Sequence, residues 1–333
     1  MSQRQQARAE WLKTILETDS FRLTPASEDA SFRSYHRVSL PDSSYILMDA
    51  PPEQEDCNPF IDITGRLLAC DVNVPIIHEQ DLQQGFLLLS DLGNEQYLSR
   101  LDSTAADKLY KAAIDSLVRF QLSACTNGLP AYDKTLLVNE MNLFPDWLLC
   151  RYLDIKLSNE EQQALAEIFA LLVDNAIQQP QVFVHRDYHS RNLMLDGDNP
   201  PGIVDYQDAV VGPLSYDLVS LLKDSYINWP PEQRQHWIDY YLEQLAHADQ
   251  GKRPEPALFK RWFDLMGVQR ELKVGGIFAR LYLRDGKVGF LKDIPRTLAY
   301  ITELGDDYPE LVNLVNLLDK RVLPGLEQKL CGQ

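Results

Sequence analysis

Residues 182–208 read VFVHRDYHSRNLMLDGDNPPGIVDYQD, and the order of residue types in this stretch decides the fold. Val182, Phe183 and Val184 form a short β-branched and aromatic run that enters a polar loop. Two further apolar runs, 193–195 and 203–204, bracket Asp196-Gly197-Asp198-Asn199-Pro200-Pro201-Gly202, a strong turn composition. The pattern predicts a hairpin with Asn192 at its start and Asp205 at its end, both on one side. Asp187 precedes it on a loop that the hairpin supports. Asn and Asp offer hard oxygen ligands of the kind magnesium takes beside phosphate oxygens and water. A carboxylate five residues before that Asn is placed to accept a hydrogen bond from a substrate hydroxyl and to aim it.

Alone, Asp187 or Asn192 is an ordinary loop residue, because Asp and Asn dominate turns. Together with His185, a strand before and Asp205 after, they spell H-x-D-x-x-x-x-N, then a strand and a second Asp. This arrangement resembles the catalytic core of protein-kinase-like phosphoryl transfer. Two departures are informative. Tyr206-Gln207-Asp208 follows Asp205 in place of Phe-Gly, and His189 stands where protein kinases often carry Lys. With Gly212-Pro213-Leu214-Ser215-Tyr216-Asp217-Leu218 downstream, the stretch resembles the aminoglycoside-phosphotransferase and choline-kinase branch.

The resemblance implies an α+β, two-lobed protein-kinase-like fold, with a small β-rich N-lobe and a large, mostly helical C-lobe. It also implies ATP and Mg2+ as cofactors, Asp187 as catalytic base, and Asn192 and Asp205 as metal ligands. His185 is then a structural residue of the loop, and Asp217 opens a helix and hydrogen-bonds the catalytic loop.

Further blocks resemble one subgroup: 29–33 with 47–52, 85–93, 142–147, and 276–281 with 284–287. That subgroup is the bacterial cell-wall-recycling kinases of the anomeric hydroxyl of N-acetylmuramate and N-acetylglucosamine. A sugar acceptor follows from this resemblance, with Glu140, His189, Arg191, Arg280 and Arg284 as candidate contacts. The arginines at 270, 280, 284 and 296 either line the acceptor site or decorate solvated helix faces, and Trp147 either grips a sugar or fills a core.

Working outward, residues 1–93 read as an N-terminal helix plus a β-rich nucleotide-binding lobe. Residues 32–39 and 45–49 are strand-like and joined by Pro41-Asp42-Ser43-Ser44; 60–69 is helical, and 74–78 and 86–89 are further strands. Ser90-Asp91-Leu92-Gly93 ends the last strand at a bend, and the resemblance makes Ser90, Asp91 and Leu92 a hinge that reads adenine. Ser31, Phe32, Arg33 and Arg37 are the candidate phosphate contacts. No lysine occurs between Lys13 and Lys108, so Arg33 or Arg37 must replace the lysine that kinases place on their third strand, or else both are surface arginines. The loop at 28–32 contains no glycine.

Residues 94–333 read as a helical lobe carrying the catalytic loop, the metal site and the acceptor pocket. Residues 107–123 place Leu109, Ala113, Leu117 and Phe120 on one face. Ser158-Asn159-Glu160-Glu161 is a capping-box pattern, the helix it opens runs to about 178, and Pro180 stops it. Pro231 and Pro256 occupy good first-turn positions.

Composition removes other classes. The 32 Lys and Arg against 49 Asp and Glu give a net charge of −17, which repels phosphate backbones and anionic lipid surfaces. No nucleic acid, membrane or protein partner is expected. The 5 cysteines are scattered without a C-x-x-C pair, excluding a zinc knuckle. The N-terminus reads as an amphipathic helix and not as a signal peptide, so a cytoplasmic protein is expected. Two other readings stay open: a kinase of an aminoglycoside, choline or a related metabolite, and a pseudokinase serving as a binding module.

Overall fold

The computed structural model describes residues 3–28, 32–197, 200–251 and 253–331. The chain forms two compact units, one of residues 1–97 with 192–208 and one of residues 98–191 with 209–333. The expected boundary at 93 therefore shifts to 97, and the segment 192–208 joins the β-rich unit instead of the helical one. The cause is backbone pairing: Leu195 donates to the Glu95 carbonyl at 2.7 Å and Ile203 to the Asn73 carbonyl at 2.8 Å.

The first unit is built on an antiparallel sheet of β1 (Arg22–Glu28), β2 (Ser34–Ser39), β3 (Ser44–Asp49), β4 (Ile77–Asp81) and β5 (Phe86–Ser90). Their order across the sheet is β1-β2-β3-β5-β4. β2 begins at Ser34, two residues later than expected, so Phe32 and Arg33 lie in the preceding loop. β1 was not foreseen. It contains Pro25 and a register shift between Pro25 and Ser27, both tolerated because β1 is an edge strand. β4, the other edge, absorbs the polar residues Glu79, Gln80 and Asp81 that were expected to form a connection. One face of the sheet is closed by the helix Gln3–Leu16: Leu12 is fully buried against Val38, Leu47, Phe86 and Leu88, with Trp11, Ile15 and Leu16 packed around them. Burying each such side chain contributes roughly 1.5–3 kcal/mol.

The second unit is helical. Its long central element, Pro256–Asp285, starts at a proline whose missing N–H costs nothing in the first turn; Glu255 caps it by accepting from the Leu258 amide at 3.0 Å. Glycine at 276 is required: a Cβ there would lie 2.3 Å from the Leu143 carbonyl carbon. That close crossing lets residues 144–152, wound as a π-helix, pack on the central helix. The helix Asn159–Ile177 opens with the expected capping box, Glu161 N to Ser158 Oγ at 3.2 Å and Ser158 N to Glu161 Oε2 at 2.7 Å. Between helices, strand Gln181–Val184 pairs antiparallel with Val210–Pro213 and delivers the polar loop that follows.

Candidate active site

In the helical unit, residues 185–191 hang on two carboxylates. Asp217 Oδ2 accepts from the His185 amide at 2.7 Å and Oδ1 from the Arg186 amide at 3.0 Å. Asp217 is fully buried at the start of the helix Tyr216–Leu222, and burial pushes its carboxyl up to about 7. Asp224 is the second pin: Oδ2 accepts from Ser190 N at 3.0 Å and from Ser190 Oγ at 2.5 Å, while Oδ1 accepts from Tyr226 N at 2.9 Å. Tyr188, buried, anchors the middle of the loop by donating to the Ala113 carbonyl at 2.8 Å.

These pins hold Arg186 at φ +77°, a conformation that costs a non-glycine residue about 1–3 kcal/mol and persists only when its surroundings over-determine it. Asp187 follows directly. Its amide donates to His185 Nδ1 at 3.2 Å, which fixes that nitrogen as an acceptor. Desolvation pushes the Asp187 carboxyl up, but the positive charges of Lys273 and Arg186 outweigh it and hold it below its usual range. At neutral pH it is an anion, able to accept a hydrogen bond from a hydroxyl.

Glu140 supports this cluster. It is buried, and its carboxylate is taken up by Tyr132, by Arg186 and by Lys273 at 3.2 Å. Glu140 thus holds Arg186 and Lys273, two of the cations that act on the Asp187 carboxyl. Lys273, on the central helix, also donates to Tyr216 Oη at 3.0 Å. The His189 ring stands edge-on to Tyr226 at 5.5 Å, its Nδ1 is buried without a partner, and burial lowers its pKa below the usual value, so it is neutral near pH 7.

The β-rich unit carries the second group of candidates. Strands Leu193–Met194 and Gly202–Ile203 pair as the expected hairpin; Asp198 and Asn199 of its turn lie outside the described residues. Val204 N donates to the Asn192 carbonyl at 3.1 Å, and the Asn192 amide lies 3.3 Å from Asp205 Oδ2. Asp205 adopts φ +67°, and Gln207 donates to its Oδ1 at 2.9 Å. Next to it, Tyr206 is fully buried, stacked on Phe60 at 5.1 Å and bonded to Thr64 Oγ1 at 2.8 Å. Tyr206 thus fastens the aspartate to the helix Asn58–Leu68.

Ser31 lies outside the described residues. Phe32 is 65% exposed, with its amide on Glu55 at 3.2 Å, and Arg33 is half-buried in the same loop. Arg37 is engaged by protein groups. It grips Asp91 through Nε at 2.6 Å and Nη2 at 2.9 Å, reaches the Gly93 carbonyl at 2.9 Å and also contacts Asn94. Ser90 exchanges bonds with Ile76, its hydroxyl accepting from the Ile76 amide at 2.9 Å. Leu92 presses on Gly202, where a Cβ would sit 2.8 Å from its Cδ1, so the bend at 90–93 rests directly on the hairpin.

The arginine cluster divides. Arg270 is buried against Glu271 at 3.1 Å and is not a surface residue at all. Arg284 is exposed and pairs with its neighbour Asp285 at 2.7 Å, whereas Arg280 is half-buried with Nε lacking a partner. Trp147 is half-exposed beneath Arg151, 4.0 Å from its ring centre, and fills no core. Sequence reasoning missed Lys273 and Asp224. Asp224 lies two residues past the end of the helix that Asp217 opens, and Lys273 stands among Gln269, Arg270 and Glu271 in the central helix, so neither is singled out by its neighbours in sequence.

These features define the class of small-molecule kinases. The chain belongs to the phosphotransferase enzyme family, whose model matches residues 22–255. A relative from Pseudomonas putida, named N-acetylmuramate/N-acetylglucosamine kinase, is 46% identical over 296 residues, 89% of this chain and 87% of the relative. One of the same name from Pseudomonas aeruginosa is 47% identical over 296 residues, with the same shares covered. Among solved structures, an ethanolamine kinase of Plasmodium vivax shares the fold with a TM-score of 0.65 at 12% identity, over 87% of this chain and 85% of that one. No helix among the described residues is long and apolar enough to cross a membrane.

Proposed function

We propose that this enzyme transfers the terminal phosphoryl group of ATP to the anomeric hydroxyl of an N-acetylated amino sugar, N-acetylmuramate or N-acetylglucosamine. The observation that carries the acceptor is the 46% and 47% identity, across 89% of the chain, to relatives named for those two sugars. In this reading Asp187 is the base: ionised and held on a doubly pinned loop, it orients the sugar hydroxyl and accepts its proton as the bond to phosphorus forms. An anomeric hydroxyl is more acidic than other sugar hydroxyls, which suits an unassisted carboxylate.

Asn192 and Asp205 are the residues that would hold magnesium, since one carboxylate beside one amide is the modest donor set this ion uses when phosphates supply the rest. When bound, the ion would neutralise the charge that develops on the transferred phosphoryl group. Arg33, Phe32 and the segment 90–92 are proposed for the nucleotide, and His189, Arg191 and Arg280 for the acceptor. Use of ATP and free cysteines, two of them buried, suit a cytoplasmic setting.

The test offers ATP and magnesium with each free sugar and with the methyl glycoside of N-acetylglucosamine, and reads the product by phosphorus NMR. A sugar 1-phosphate from the free sugars, and nothing from the glycoside, is the expected result. Phosphorylation of the glycoside at a comparable rate would place the chemistry at another hydroxyl. Turnover only on an aminoglycoside or choline would reassign the acceptor.

A further inference from the structure

Arg191 lies four residues beyond Asp187, at the end of the same pinned loop. Its guanidinium carbon sits 4.6 Å from the centre of the Tyr226 ring and 5.9 Å from that of Phe290. The rings continue as a short platform: Phe278 is 5.3 Å from Phe290 and 6.3 Å from Tyr226. Phe278 is buried, whereas Tyr226 and Phe290 are half-buried and present open surface. The stack is held in place by Asp224, which binds Ser190, next to Arg191, with one oxygen and the Tyr226 amide with the other.

Among the described residues no carboxylate lies within ion-pair distance of Arg191. Asp293, whose carboxyl feels the Arg191 charge, is paired with Arg296 at 3.7 Å. In a chain carrying 49 acidic residues against 32 basic ones, an arginine four residues past Asp187 that pairs with none of them is set up for an anion from outside.

The two proposed acceptors differ in one charged group. N-acetylmuramate is N-acetylglucosamine carrying a lactyl ether, and that ether ends in a carboxylate. We propose that Arg191, stacked on Tyr226 and Phe290, recognises the carboxylate of N-acetylmuramate and sets the preference between the two sugars. The inference rests on the sugar-kinase reading above. A guanidinium held over aromatic rings keeps its positive charge and spare N–H donors, which suit a carboxylate. The aromatic platform meanwhile offers an apolar face to the pyranose ring.

The experiment measures kcat/KM for both sugars, and for the methyl ester of N-acetylmuramate, in the wild-type enzyme, Arg191→Gln and Tyr226→Leu. The expected result for Arg191→Gln is a fall of about 10–100-fold in the N-acetylmuramate to N-acetylglucosamine ratio, the span of a charge-assisted hydrogen bond. It should appear mainly in KM, and the ester should lose the advantage the acid enjoys only in the wild type. Tyr226→Leu should reduce the ratio in the same direction, because the guanidinium loses its support. An equal loss on both sugars would overturn the proposal and make Arg191 a contact to the transferred phosphate or a structural residue. An unchanged ratio would overturn it too. Failure of the wild-type enzyme on both sugars would remove the sugar-kinase reading itself, and with it this inference.

Discussion

Arg37 grips Asp91 with two parallel N–H···O contacts of 2.6 and 2.9 Å, joining β2 to the bend that follows β5. The pairing holds the Asp91 carboxyl below its ordinary range: burial pushes it up, but the Arg37 contact together with bonds from Ser44 and the Gly93 amide outweighs that. An arginine that looks in sequence like a phosphate ligand is thereby occupied in fixing the segment that follows Ser90.

Arg37→Met should accordingly cost about 2–4 kcal/mol of stability, because it leaves Asp91 partly buried and unpaired. Arg33→Met should leave stability nearly unchanged and raise the KM for ATP. Chemical denaturation beside ATP kinetics separates the two; a stable Arg37→Met with an impaired KM for ATP would return the phosphate role to Arg37.

Asp187→Asn should lower kcat by about 10²–10⁴-fold, the usual contribution of a general base, with ATP binding retained. Turnover near that of the wild type, measured beside nucleotide affinity, would take Asp187 out of the mechanism.

Asp205→Ala should abolish activity and make ATP affinity insensitive to magnesium, whereas Asn192→Ala, losing a neutral ligand, should be milder. Calorimetric titration of ATP with and without magnesium checks this. An unaltered magnesium dependence in Asp205→Ala would move the ion elsewhere.

Lys273 is one of the cations that hold the Asp187 carboxyl down. A depressed carboxyl pKa keeps Asp187, the proposed base, ionised until the pH falls through that lowered value, so removing the cation should raise the pH at which activity is lost. Lys273→Met should therefore move the acidic limb of the kcat/KM profile upward, while Lys273→Arg should leave it nearly in place. An unmoved limb in Lys273→Met would show that Lys273 does not act on the base.

Much of this was legible in the sequence because it is local. The hairpin from Asn192 to Asp205 is written in consecutive turn residues, and the capping box at Ser158 in four adjacent ones. What stayed hidden depends on partners far along the chain. Glu140 offers a plausible sugar contact until Arg186 and Lys273, 46 and 133 positions away in the chain, are seen to take its carboxylate. Arg37 is separated from Asp91 by 54 positions. β1 and β4 were obscured differently, since an edge strand tolerates the proline and the polar run that argue against strands elsewhere.

The β-rich unit is discontinuous in sequence, closed by residues 192–208 after an excursion through 98–191. During synthesis that unit cannot be completed when its first 97 residues leave the ribosome. Phe60 must wait for Tyr206, and Asn73 for the carbonyl of Pro200, to which its amide donates at 2.9 Å. Closing a loop of that length adds little to the equilibrium cost but delays the closure, as contacts remote in sequence generally do. Asn192 and Asp205 ride on the piece of that unit that arrives last, so a nascent chain acquires the two residues proposed to hold magnesium only as its first unit becomes whole.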